Sequence, residues 1–117
     1  LWVLALCPGK RLLGVELLFR GTVDTCPAHP RDIFRYLCLL NASSFIIAHN
    51  HPSQDPSPSD SDWSFTRKLT EAAALIGIPL LDHVVVTGKN HRSMAGMKPD
   101  LFLQTIEQGP ALNQAFA

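Results

Sequence analysis

The apolar run "SFIIA" at residues 44–48 leads into "HNHPSQDPSPSDSD", where Pro52, Pro56 and Pro58 forbid any continuation of a strand. Each proline removes a backbone donor and fixes φ, so the chain must leave the sheet near His51. A nearly continuous apolar strand is the pattern expected when both sheet faces are covered, which places residues 44–50 in the interior of a sheet. From Ser59 the periodicity turns helical. Trp63, Leu69, Ala72, Ala73 and Ile76 share one face, and Gly77 suits the left-handed residue that ends a helix. "PLLDHVVVTG" then reads as a second buried strand over 80–86, closed by Gly88, Lys89 and Asn90.

Upstream, "LWVLAL" is stopped by Cys7-Pro8-Gly9-Lys10, and "RLLGVELLFRG" resumes an extended pattern, which predicts a β-hairpin. "HPRDIFRYLCLLN" predicts a helix over 30–40. Pro30 stands at the first helical position, Ile33, Phe34, Tyr36, Leu37 and Leu40 fall at helical spacing, and Asn41 ends the run. The order ββαβαβ predicts a single α/β domain, a mixed central sheet flanked by helices. Its core spans about residues 1–97, and the tail 98–117 shows only weak helical periodicity in "LFLQTIEQ". The chain opens without Met on what reads as the middle of a strand, so a piece of a longer protein is expected.

Composition narrows the partners. Lys plus Arg and Asp plus Glu each number 10, for zero formal net charge, and no stretch clusters basic residues with aromatics. Strong nucleic-acid binding by this chain alone is therefore not expected, nor attraction to an anionic membrane. No apolar run approaches the roughly 18 residues of a membrane span. Cys7, Cys26 and Cys38 are odd in number and lack a CxxC spacing, which suits reduced thiols in a cytoplasmic protein.

The proline-rich stretch carries the chemistry. Residues two apart on a strand point the same way, so His49 and His51 present two imidazoles on one face at a strand end. Ser59 and Asp62 stand at the N-cap and third position of the following helix, in the spacing of a capping signature. If that helix start faces the strand end, Asp62 supplies a third ligand. Two imidazoles and a carboxylate suit Zn²⁺ and leave a fourth tetrahedral position for water, the open arrangement of a catalytic site. Taken singly, H-x-H is an ordinary polar strand end and Ser59 with Asp62 an ordinary cap. Their joint occurrence points to a metal, without fixing which one. His83 reads as a structural histidine hydrogen-bonded beside Asp82, or alternatively as the fourth protein ligand of a structural site. His29 and His91 lie in turn-like contexts and are not expected to carry function.

The skeleton H-x-H, seven residues, Ser, two residues, Asp at His49, His51, Ser59 and Asp62 resembles the JAMM (MPN+) metallopeptidase motif. The whole stretch resembles the signature of the RadC family. "GTVDTCPAHPRDIF", "NASSFIIAHNHPS" and "LDHVVVTG" are similar to further segments of that family, whereas Gln54 replaces its usual glycine outside the metal skeleton. The resemblance implies a JAB/MPN (cytidine deaminase-like) fold, zinc held by His49, His51 and Asp62, and Ser59 stabilising an oxyanion. It implies a zinc-dependent hydrolase acting on the amide bonds of a protein or peptide substrate. The alternative is a metal-binding module, without catalysis, of a DNA-repair-associated protein. The family's general base is a glutamate just before the first core strand, so it is expected upstream of Leu1. An upstream-extended chain is then expected to hydrolyse amides better than this one. Glu16 is the remaining candidate here, although strand alternation sends it to solvent as readily, and Glu71 and Glu107 lie further from the motif. The tripeptide "HNH" is not the dispersed residue set of an HNH nuclease.

Overall fold

In the computed structural model, which describes residues 1–20 and 29–103, strands β1 (Trp2–Leu6) and β2 (Leu12–Leu17) form the expected hairpin. They pair antiparallel, Trp2 opposite Leu17 and Ala5 opposite Gly14. The turn is closed by Lys10 N–H donating to the Cys7 carbonyl at 2.8 Å and Cys7 N–H to that of Arg11 at 2.9 Å. Helix α1 (Pro30–Leu39), strand β3 (Ser44–Asn50), helix α2 (Asp60–Ile76) and strand β4 (Leu80–Val86) follow. Strand β5 (His91–Ser93) and the short helix α3 (Met94–Met97) come next, and residues 99–103 are again helical. The sheet order is β2-β1-β3-β4-β5. Strand β3 is thus central, antiparallel to β1 and parallel to β4, and the sheet is mixed as expected.

Local chemistry sets the helix ends. Pro30 sits at the first turn of α1, where its missing N–H costs nothing, and His29 caps the helix by accepting from Arg31 N–H at 3.0 Å. Asn41 leaves α1 at φ 53°, a left-handed conformation that asparagine tolerates. Gly77 closes α2 at φ 86°, where a side chain would be strained.

Register decides which face is buried. Val3, Ile47 and His83 stand side by side across three strands, and Phe45 stands beside Leu80 across two. These residues, with Ala5, His49 and Val85, are all buried. A bulge lets Leu81 drop out of register between the Phe45–Leu80 and Ile46–Asp82 pairs. Leu80 and His83 consequently both point inward although three residues apart. Helices α1 and α2 lie on this face: Phe34 meets Phe45 edge to face at 5.5 Å, and Thr66 reaches His83. The opposite face is less covered among the described residues, with Ile46, Ala48 and Val84 half-buried and Trp2, Val15 and Val86 exposed. An apolar run therefore marked a central strand correctly but did not guarantee equal cover on both sides.

Strand β5 and helix α3 were not anticipated, because three- and four-residue elements are too short to show a period. The Asp82 carboxylate fixes them, accepting from Ser93 Oγ at 2.6 Å and Ala95 N–H at 2.9 Å. Cys26, Glu107 and most of the tail lie outside the described residues. No described helix is long and apolar enough to cross a membrane.

Candidate metal centre

Strand β3 carries its pairing to the edge of the proline loop, where His51 N–H donates to the Val86 carbonyl at 3.0 Å. Alternation is preserved to that point, so His49 and His51 stand together with ring centroids 5.0 Å apart. The loop then returns the chain to the start of α2. There Ser59 and Asp62 form a complete capping box: Asp62 N–H donates to Ser59 Oγ at 3.1 Å, and Ser59 N–H to Asp62 Oδ2 at 2.8 Å. Besides stabilising the helix, this box aims the carboxylate at the two imidazoles.

The result is a cluster in which one ligand atom from each of His49, His51 and Asp62 lies within 4.8 Å of the others. Asp62 Oδ1 is 3.1 Å from His49 Nε2, and Oδ2 is 2.9 Å from His51 Nε2. His49 and Asp62 are 3% and 2% exposed, while His51 is half-buried and leaves the cluster open to solvent on its side. One feature asks for a cation between these groups, and a second accommodates it. The 3.1 Å approach to Asp62 lacks hydrogen-bond geometry, so His49 Nε2 is buried without a hydrogen-bond partner, a costly state for a polar atom. His51 is hydrogen-bonded through Nε2 to Asp62 Oδ2 at 2.9 Å, and its Nδ1 lies 3.3 Å from the Asp55 carbonyl, an acceptor for the ring proton once Nε2 serves as a ligand. A cation between His51 and Asp62 would take the place of that Nε2 hydrogen bond, accepting from the Nε2 lone pair and the carboxylate oxygen together. Two nitrogens and a hard carboxylate oxygen match the donor set of Zn²⁺. The residues fit a metal.

Electrostatics agree. Burial alone would raise the Asp62 carboxyl, but the His49 imidazole, the Ser59 N–H and His51 outweigh it and hold the group well below the usual carboxylate range. His83 is fully buried against the cluster, its Nε2 2.6 Å from His49 Nδ1. Burial, reinforced by His49, pushes its pKa down to about 3. His83 is therefore neutral. It lies behind His49 rather than among the ligating groups, so the fourth-ligand alternative gives way to the structural one. Asp82 is not its side-chain partner: the carboxylate takes the His83 backbone N–H at 2.7 Å, and the imidazole turns to His49 and Thr66.

Thr66 escaped notice in the sequence because hydrophobic periodicity is blind to it. The buried side of α2 is Asp62, Thr66, Leu69, Thr70, Ala73 and Ala74, whereas the apolar pattern included Ile76, which is exposed. The first turns of α2 face histidines rather than hydrocarbon, so polar residues are inward there. Glu16 lies on edge strand β2 opposite Val3, near Tyr36, and is not among the groups brought to the cluster. His91 is exposed on β5 and His29 is used as a cap.

Two outcomes follow. Ser59→Ala should keep the metal ligands but lose half the capping box, costing about 1 kcal/mol in a denaturant titration. Zinc-free protein should lose stability on acidification below about pH 6.5. Between that value and the folded His83 pKa of about 3, the unfolded state binds a proton that the folded state refuses, so stability falls with pH at up to ~1.4 kcal/mol per unit. Asp62, ionised in the folded state, acts in the same direction below about pH 4. Urea denaturation at stepped pH checks this slope.

The chain matches the family model of the RadC-like JAB domain over residues 1–99. It is 46% identical over 93 residues to a UPF0758 protein of Vibrio cholerae, covering 80% of this chain and 58% of that protein. A UPF0758 protein of Thermosynechococcus vestitus is 41% identical over 107 residues, covering 92% of this chain and 42% of the relative. The chain thus spans from about two-fifths to three-fifths of the length of these relatives. With its mixed sheet, its capped helix and the His49, His51 and Asp62 cluster between them, the chain belongs to the RadC family of JAB domains.

Proposed function

We propose that this chain is a zinc-dependent hydrolase domain acting on peptide or isopeptide amides of a protein or peptide substrate in the cytoplasm. The observation that carries the reading is the buried, unbonded His49 Nε2 beside an ionised Asp62 and the Nε2 of His51. Bound there, zinc would supply Lewis-acid polarisation and an activated water near neutral pH. The protein's own groups do the rest. Asp62 contributes the anionic ligand, kept ionised by Ser59 N–H. Ser59 Oγ accepts from Asp62 N–H through a lone pair, which leaves its own hydrogen to donate to a developing oxyanion. Its place at the N-terminus of α2 adds the favourable helix dipole. The free thiols of Cys7 and Cys38 suit a reducing compartment.

The test is turnover of a panel of peptide and isopeptide substrates by zinc-loaded protein, chelated protein, and the Ser59→Ala and Asp62→Ala variants. Cleavage should require zinc, vanish in Asp62→Ala, and fall on the order of 10²-fold in Ser59→Ala, the cost of one oxyanion donor. Cleavage that survives both chelation and Asp62→Ala would contradict the proposal. A second reading, a metal-holding module of a DNA-repair-associated protein without catalysis, uses the same three ligands and requires no general base. Zinc binding with no cleavage across the panel would select it.

A further inference from the structure

Behind the cluster lies a polar chain that neither the motif nor the ligand set includes. His49 Nδ1 is 2.6 Å from His83 Nε2, and His83 Nδ1 is 2.6 Å from Thr66 Oγ1. All three side chains are buried. They come from three elements, β3, β4 and α2, and the bulge at Leu81 is what turns His83 inward to meet His49. Buried imidazoles beside one another are expensive in a protein core unless their protons are ordered. Only a few proton arrangements are available.

A neutral histidine has one ring N–H. If His49 carried its proton on Nε2, that N–H would point into the cluster, where the 3.1 Å approach to Asp62 lacks hydrogen-bond geometry. With the proton on Nδ1, His49 donates to His83 Nε2. His83 Nε2 then accepts, so the ring proton of His83 lies on Nδ1 and is donated to Thr66 Oγ1. Every ring nitrogen except His49 Nε2 is satisfied, and that atom is left with its lone pair aimed at Asp62 and His51. His51 differs: its Nε2 is hydrogen-bonded to Asp62 Oδ2 at 2.9 Å, and the Asp55 carbonyl 3.3 Å from Nδ1 offers a place for the ring proton when Nε2 turns to a metal.

We propose that His83 and Thr66 are positioning residues: a buried relay that fixes His49 in the Nδ1–H tautomer and orients its Nε2 lone pair toward the metal. The inference rests on the metal reading and deepens it. A ligand with a proton on its coordinating nitrogen must first lose it or shift it, whereas the relay presents His49 ready to bind. The partner is a hydroxyl and an imidazole rather than the acidic side chain or carbonyl that often supports a metal-bound histidine. The relay therefore orders His49 without burying a further charge.

Two readouts separate this inference from the metal reading. Long-range ¹H–¹⁵N NMR on the zinc-free protein should show His49 and His83 both protonated at Nδ1. Thr66→Val, nearly isosteric, should shift His83 away from that tautomer, and Thr66→Ser should restore it. Zinc titration should show affinity weakened roughly 10- to 100-fold in His83→Gln, in the range typical of outer partners of metal ligands. A smaller loss is expected in Thr66→Val, with recovery in Thr66→Ser. Matching circular dichroism excludes unfolding, and the Thr66 pair keeps the test decisive if His83→Gln does not fold. A parent that binds zinc while the Thr66→Val variant binds equally tightly, with unchanged histidine tautomers, overturns the relay alone. A parent that takes no zinc at all contradicts the metal reading and removes the relay's purpose with it.

Discussion

His49→Ala and Asp62→Ala are each expected to abolish stoichiometric zinc, weakening affinity by more than the roughly 10- to 100-fold that outer partners carry. Each change deletes a ligand from a set of three, and neither position has a substitute: the cluster contains no fourth His, Cys, Asp or Glu among the described residues. Asp62 matters doubly, because it brings the anionic charge that two neutral imidazoles do not. Removing it also deletes the acceptor of Ser59 N–H, so the start of α2 loosens. Asp62→Asn retains the shape and isolates the charge. Metal content after gel filtration of zinc-loaded protein checks the outcome. Both alanine variants binding like the parent would show that zinc sits elsewhere.

Phe45→Ala is expected to cost about 3–5 kcal/mol, a large share of the roughly 5–15 kcal/mol that stabilises an ordinary domain. Phe45 is fully buried, stands beside Leu80 in the sheet and meets Phe34 of α1 edge to face. Truncation opens a cavity where α1 meets the central strand, and a closely packed core relaxes only partly around such a void. Leu39→Ala serves as the control, since Leu39 is 76% exposed and a surface change typically stays within about 0.5 kcal/mol. Equilibrium urea denaturation of both variants gives the comparison. A loss below about 1 kcal/mol for Phe45→Ala would contradict its place at the helix–sheet contact.

Most of this architecture was legible because its signals are local. Proline at position 30, the left-handed positions at Asn41 and Gly77, and the break at Pro52 each act within a few residues, and the structure places helix and strand ends beside them. The candidate metal cluster was legible for a related reason: a two-residue strand period and a capping box fix where His49, His51 and Asp62 point once the loop brings them together. What stayed hidden depends on distant contacts. The inward turn of His83 follows from a one-residue bulge against β3, and no pattern within "LDHVVV" announces a bulge. Thr66 was hidden because the buried stripe of α2 turns polar where it meets histidines. The unequal cover of the two sheet faces depends on where α1 and α2 pack, which an apolar strand does not encode.

X-ray absorption at the zinc edge of the loaded protein tests the central claim most directly, because it reports the atoms around the metal whether or not any substrate is known. Two imidazole nitrogens at about 2.0–2.1 Å and oxygen at about 2.0–2.2 Å are expected, with the nitrogen contribution reduced in His51→Ala. A shell dominated by sulfur at about 2.3 Å, or one unchanged in His51→Ala, would contradict the assignment of His49, His51 and Asp62 as the metal ligands.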